Sequence, residues 1–136
     1  MTAFQEAFFP EGPPLERRIP RTIPLERKAD GYIHGLLCTR GRMNGMSFDI
    51  PVGTSVRMGR REKPEIGWIA FPMNWRGVSR KQCELYRDKY GNLLVRDLNS
   101  AFGTLLDGVR LSPNKWERIK ADQTLEFGNE QFRTLG

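Results

Sequence analysis

Three short stretches of this chain hold donors suited to an anion. The first is Met58, Gly59, Arg60 and Arg61. The second runs Gly77, Val78, Ser79, Arg80, Lys81, Gln82. The third is Asp97, Leu98, Asn99, Ser100, Ala101, Phe102, Gly103 and Thr104. Each lies between an apolar run and a turn-rich one. The guanidinium of Arg60 presents a planar fork that matches two oxygens of a phosphate. Ser79 carries a short hydroxyl that reaches a phosphate oxygen. Backbone N–H groups beside Gly103 add uncharged donors. Gly59 lets the chain turn out of a strand without a Cβ clash and so sets Arg60 at the strand's end. Arg57, Arg61, Lys63, Arg76 and Lys81 crowd the same neighbourhoods, giving a positive field that speeds capture of an acidic ligand. Brought to one edge by a β fold, the three stretches would make a small anion pocket with no catalytic base in it.

The rest of the composition narrows the chemistry. His34 is the only histidine, it falls inside a predicted strand, and the carboxylates are scattered among basic residues. No base–nucleophile pair and no paired acids follow from that pattern, so the expectation is a non-enzyme with no catalytic residues. Cys38 and Cys83 sit far apart in apolar runs, without the spacing of a zinc site, and read as buried reduced thiols; no metal or cofactor is expected. With 22 Lys and Arg against 16 Asp and Glu, the formal net charge is +6. That excess favours an acidic partner or simply solvates the surface. Nucleic acid is disfavoured, because the basic residues are dispersed and no recognition helix or aromatic–basic surface motif occurs. The start of the chain lacks a signal-peptide pattern and no segment nears the ~20 apolar residues of a spanning helix, which leads to an expected cytoplasmic location without membrane insertion.

The elements that must position the three stretches are short strands. Residues 1–30 contain Pro10, Pro13, Pro14, Pro20 and Pro24 and repeat the tetrapeptide Pro-Leu-Glu-Arg at 14–17 and 24–27. Proline fixes φ and removes donors, so this part reads as an extended or disordered tail, with Phe4, Phe8 and Phe9 able to tack its start to the domain or a partner. Residues 31–136 read as one all-β domain. Strands are predicted at 32–39, 47–50, 55–58, 67–71, 82–87, 93–97, 104–106, 109–111, 116–119, 124–127 and 131–135. Asp107 and Gly108 mark a two-residue hairpin turn. Many short strands with regular turn punctuation argue a β-sandwich whose loops carry the function.

In combination the three motifs resemble the forkhead-associated (FHA) domain, a reader of phosphothreonine peptides, over roughly residues 32–136. The resemblance implies a sandwich of about eleven strands that reads its ligand with the loops at one end. It implies that Arg60 contacts the phosphate, that Ser79 is the phosphate-contacting serine of the family's Ser-Arg-x-His motif, and that Arg80 supplies a second contact. Gln82 stands where the family has a loop-bracing histidine, and its amide has both a donor and an acceptor for that role. The family's Asn-Gly-Thr becomes Phe102, Gly103, Thr104. Phenylalanine cannot hold the peptide main chain as asparagine does, and Ala101 lacks a hydroxyl found before that asparagine in some members. Each lost hydrogen bond is worth on the order of 1–3 kcal/mol, so the pair could weaken binding by about tenfold or more. Asp107 and Gly108 match the following Asn-Gly turn, and Gly128 closes a segment resembling Gly-Asp-x-Ile-x-Ile-Gly.

The implied partner is a threonine-phosphorylated protein. The alternative is a degenerate FHA scaffold that makes phospho-independent protein contacts through Phe102, or self-associates as a homo-oligomer. Trp75, in the loop before Ser79, would wall the pocket or pack a partner; Trp68, Trp75 and Trp116 fit equally as core or loop anchors. Thr22, preceded by Arg17, Arg18 and Arg21 and followed three residues on by Leu25, is a candidate phosphosite. It would make the chain a Ser/Thr kinase substrate whose phosphorylated tail docks into its own pocket or a neighbour's.

Overall fold

The computed structural model describes residues 33–136; the tail with Thr22 and its phenylalanines lies outside the described residues. Eleven strands occur among the described residues: β1 Gly35–Arg40, β2 Ser47–Asp49, β3 Ser55–Arg60, β4 Trp68–Phe71, β5 Cys83–Arg87, β6 Leu93–Asp97, β7 Leu105–Leu106, β8 Val109–Arg110, β9 Glu117–Ile119, β10 Thr124–Phe127 and β11 Glu130–Leu135. They form a sandwich of a six-stranded sheet, ordered β2-β1-β11-β10-β7-β8, and a five-stranded sheet, ordered β4-β3-β5-β6-β9. This is the all-β architecture of an FHA domain.

Period-two alternation makes these segments strands. In β10, Leu125 and Phe127 turn inward while Thr124 and Glu126 stay partly exposed. Inward residues of both sheets form one core that includes Leu36, Met58, Phe71, Leu85, Phe127 and Phe132. Phe127 stacks on Phe132 at 5.6 Å and meets Phe71 edge-on at 5.7 Å, so aromatic rings tie the sheets together. Cys38 and Cys83 are buried free thiols, one in each sheet. The turn at Asp107 and Gly108 has φ of 50° and 78°, the paired positive values of a tight β7–β8 hairpin.

Two local expectations are corrected. β1 starts at Gly35, and His34 precedes it, its Nδ1 2.5 Å from Asp49 Oδ1. β3 continues through Gly59 to Arg60, whereas the pattern of side chains stops at Met58. The extra length comes from pairing: β3 runs parallel to β4, with Arg57 opposite Trp68 and Arg60 opposite Phe71. The connection at 61–67 is short for parallel neighbours. It is held by Arg61 Nε on Glu65 Oε2 at 3.0 Å and by Trp68 N–H donating to Glu65 O at 3.1 Å.

This pairing decides which loops meet. Met58 faces Cys83, and Cys83 faces Asp97. The end of β3, the start of β5 and the end of β6 therefore share one edge of the sheet. The parallel β4 ends at that edge as well. All three sequence stretches emerge there.

Candidate functional site

Arg60 closes β3 and is fixed twice. Its backbone N–H donates to Ser79 O at 3.2 Å, and its Nη1 donates to Met73 O at 2.9 Å. Met73 follows β4, so this clamp exists because the parallel strands end side by side. Nε of Arg60 makes no hydrogen bond among the described residues. Gly59 does not act by turning the chain. Its φ is not in the left-handed region, and it lies within the strand. A Cβ there would collide with the carbonyl oxygen of Arg80, so glycine is needed for the 79–80 loop to lie against β3.

An open hollow of about 500 Å³ lies at this edge, lined by Arg60, Arg61, Glu62, Lys63, Glu65, Met73 and Arg80. Arg61 is occupied, pairing with Glu65 and lying 3.4 Å over the ring of Trp68. Arg80 and Lys63 have no ion pair among the described residues. Ser79 does not line the hollow but stands beside Arg80. Its Oγ accepts a hydrogen bond from Ala101 N at 2.8 Å, which joins the second stretch to the third and leaves the hydroxyl proton free to donate. Lys81 is exposed at the same loop.

Gln82 is the brace. Buried to 1% exposure, it accepts from Ser79 N at 2.9 Å and donates to Gly103 O and Thr104 Oγ1, both at 3.0 Å. Thr104 Oγ1 donates onward to Asp97 Oδ1 at 2.7 Å, and Asp97 also receives Ser100 N at 3.0 Å and Ser100 Oγ at 2.5 Å. Every polar atom of the amide is used, so the loops are locked to each other by side chains in the interior. Gly103, at φ 89°, sits against Arg110, where any Cβ would strike the guanidinium. Phe102 is 70% exposed, between two residues whose backbones are pinned.

Other basic and aromatic residues fall elsewhere. Arg57 faces the buried carboxylate of Glu84 and lies over Trp68. Arg76 is exposed and does not line the hollow. Trp75 packs edge-on against Phe71 at 5.8 Å with Arg42 4.7 Å over it, and Trp116 packs against Tyr86, so both are anchors. Sequence reasoning missed the Met73 carbonyl, Glu62 and Glu65, the Asp97–Ser100 turn and Arg110. Of these only the Asp97–Ser100 spacing, a familiar side-chain-to-backbone turn, was there to be read. Burial pushes both thiols up, Cys83 far above its ordinary range with the Asp97 and Glu84 carboxylates adding to the effect. Neither is an activated nucleophile.

A sequence model of the FHA domain matches residues 56–128, more than half of the chain, and the chain belongs to the FHA domain family. Solved structures with the same fold include the FHA domain of CT664 from Chlamydia trachomatis, at 17% identity and a TM-score of 0.62 over 75% of this chain and 95% of that one. An FHA domain from an Arabidopsis thaliana hypothetical protein gives 24% identity and 0.60 over 75% and 85%. The N-terminal FHA domain of Rad53p from S. cerevisiae, solved with a phosphothreonine peptide, gives 18% and 0.58 over 74% and 89%. No curated protein matches the chain.

Proposed function

We propose that this chain is a non-catalytic, phosphothreonine-dependent interaction module that captures a threonine-phosphorylated protein at the edge carrying Arg60, Ser79 and Arg80. The observation that carries this reading is the lining of one hollow by both arginines. Four cations against two carboxylates leave that hollow with two positive charges, the complement of a phosphate dianion. Arg60 would supply its guanidinium donors, Ser79 its free hydroxyl proton and Arg80 an exposed second cation, while Gly59, Gln82, Gly103 and Thr104 hold the loops. Domains of the same fold have been solved with a phosphothreonine peptide and with the intracellular domain of a partner protein. Capture of a phosphorylated segment by arginines is a recurrent recognition mode. The test is titration with matched phosphothreonine and unphosphorylated peptides. Binding only of the phosphorylated form, lost in Arg60→Ala, supports the reading; equal affinity for both, unchanged in Arg60→Ala, removes it.

A second reading is favoured by one observation, the exposed ring of Phe102. It keeps the fold and discards the phosphate, using Phe102 for a constitutive protein contact. Under it Phe102→Asn weakens partner binding, and phosphatase treatment of the partner changes nothing.

A further inference from the structure

Glu130 opens β11 and is fully buried, yet neither oxygen of its carboxylate has a hydrogen-bond partner among the described residues. The turn at 41–46, which joins β1 to β2, covers it. Gly41, at φ 115°, lies so close that a Cβ there would run into both carboxylate oxygens. The backbone bonds of the turn run within itself and to β1. Asn44 N donates to Gly41 O at 3.2 Å, Met46 N to Met43 O at 2.8 Å and Gly45 N to Cys38 O at 2.8 Å. The turn is thus a compact cap seated on a carboxylate. Few charged or titratable groups surround the seat. Cys38 and Arg40 face it from β1, and Arg42 from the turn. Arg40 is taken by Glu126 of β10 at 3.1 Å and Arg42 is turned to Trp75, so neither guanidinium bonds the carboxylate. The 72–78 loop adds only Arg76, which is exposed.

The cap reaches the edge that carries Arg60. The guanidinium of Arg42 lies 4.7 Å over the ring of Trp75, and Met43 and Trp75 both pack on the core. Trp75 ties the 72–78 loop together: its N–H donates to Pro72 O at 3.0 Å, and its carbonyl accepts from Val78 N at 3.1 Å. Met73 of the same loop supplies the carbonyl that holds Arg60 Nη1. Gly128, two residues before Glu130, also lies against this loop, where a Cβ would stand 3.0 Å from Gly77 O.

An ionised carboxylate without hydrogen bonds is costly to bury, whereas a neutral one is tolerated far better. Two events relieve the charge: uptake of a proton, or lifting of the cap so that water reaches the oxygens. Burial raises the pKa of Glu130 while the cap is seated. In water the group returns towards its ordinary value. A proton therefore favours the seated cap. The lifted cap gains population as pH rises from the ordinary carboxylate pKa through the seated one, and nothing changes below both. We propose that the 41–46 turn is a proton-operated strut of the Arg60 edge: over a neutral Glu130 it holds Arg42 on Trp75 and steadies the Met73 clamp, and over an ionised Glu130 it lifts more often and loosens that clamp.

Relaxation dispersion of the 15N-labelled protein at about pH 4 and about pH 7.5 tests it. The population of the lifted state, read at the amides of Arg42, Met43 and Asn44, should be at least about threefold larger at the higher pH, with the Trp75 indole exchanging at the same rate. Glu130→Gln, neutral at both values, should show the smaller population at both. A flat wild-type profile, a pH dependence retained in Glu130→Gln, or a Trp75 indole that does not follow the turn would overturn the proposal. The wild-type profile decides it even where the variant is unstable. The consequence for a ligand rests on the phosphothreonine reading above. The ratio of Glu130→Gln to wild-type affinity for one phosphothreonine peptide cancels the titration of the phosphate itself. It should be at least about twofold at pH 7.5 and near unity at pH 4. A ratio near unity at both values would overturn the link to Arg60 and leave the reading intact. Absence of phosphate-dependent binding in both proteins would overturn the reading, while the relaxation profile still decides the strut.

Discussion

At the scale of single residues, the proposed reading separates the charge that would capture a ligand from the groups that would place it. Arg80 has no ion pair among the described residues, so Arg80→Ala is expected to weaken phosphopeptide binding about tenfold, the scale of one charge-assisted bond, without moving the melting temperature. Gln82 is the reverse case. It is buried, and its amide satisfies Ser79 N and Gly103 O, which a hydrocarbon side chain would leave unpaired. Gln82→Leu should therefore cost about 3 kcal/mol in denaturant unfolding, and phosphopeptide binding should fall with it because the loops lose their common anchor. A loss below about 0.5 kcal/mol would mean that the loops are held by other means. The Gln82 amide both donates and accepts, with one further donor for Thr104, which gives it the bracing capacity the resemblance assigns to this position.

At the scale of elements, the close approach of β3 and the 79–80 loop is set by Gly59. Gly59→Ala puts a methyl group into the Arg80 carbonyl, and the expected outcome is destabilisation of about 2 kcal/mol together with weakened binding, since the loop that must shift carries Ser79 and Arg80. Retained stability and affinity would show that the loop can retreat freely. The same element marks the boundary of what the chain's sequence revealed. Turns and alternation are local, so the Asp107–Gly108 hairpin, the β5–β6 hairpin and all eleven strands were legible. Partner choice between strands is not local. Nothing in the runs around Met58 and Ile69 distinguishes a parallel from an antiparallel neighbour, and the parallel choice is what brings Met73 under Arg60 and folds the 61–67 connection into the wall of the hollow. The contacts of Arg61 were hidden for the same reason: Glu65 and Trp68 engage it once that connection closes. That Arg60, Ser79 and Gln82 lie at one end of the sheet was legible because their motif order carries information beyond residue type; the exposed orientation of Phe102 required the loop to be built.

At the scale of the molecule, the sandwich gathers charge at one edge and buries some at high cost. If the hollow captures a phosphopeptide, the +6 net charge and the basic lining would steer association, so the association rate should fall severalfold between about 0.05 and 0.3 M salt while dissociation changes less. Glu130, at the start of β11, is fully buried. Burial raises its pKa above the ordinary carboxylate value; the amides of Arg42 and Met43 offset this only in part, neither making a well-formed hydrogen bond. A folded-state pKa above the unfolded value means that the folded protein holds the proton more tightly. The ionised group thus destabilises increasingly as pH rises from the unfolded towards the folded pKa, and not at all below both. Glu130→Gln should raise the melting temperature at pH 7 and leave it nearly unchanged near pH 3.5; an equal change at both values would assign the effect to shape and not to charge.

On the proposed reading, distant turns fixed by two stacked sheets jointly hold one phosphorylated threonine. It is tested most directly by amide NMR during titration with a phosphothreonine peptide. Shifts should cluster at 60–63, 73, 79–82 and 99–104, saturate together with one affinity, and vanish when the peptide is dephosphorylated. Shifts centred on the outer face of the five-stranded sheet, around Arg57, Glu84 and Arg96, or identical shifts with the unphosphorylated peptide, would contradict it.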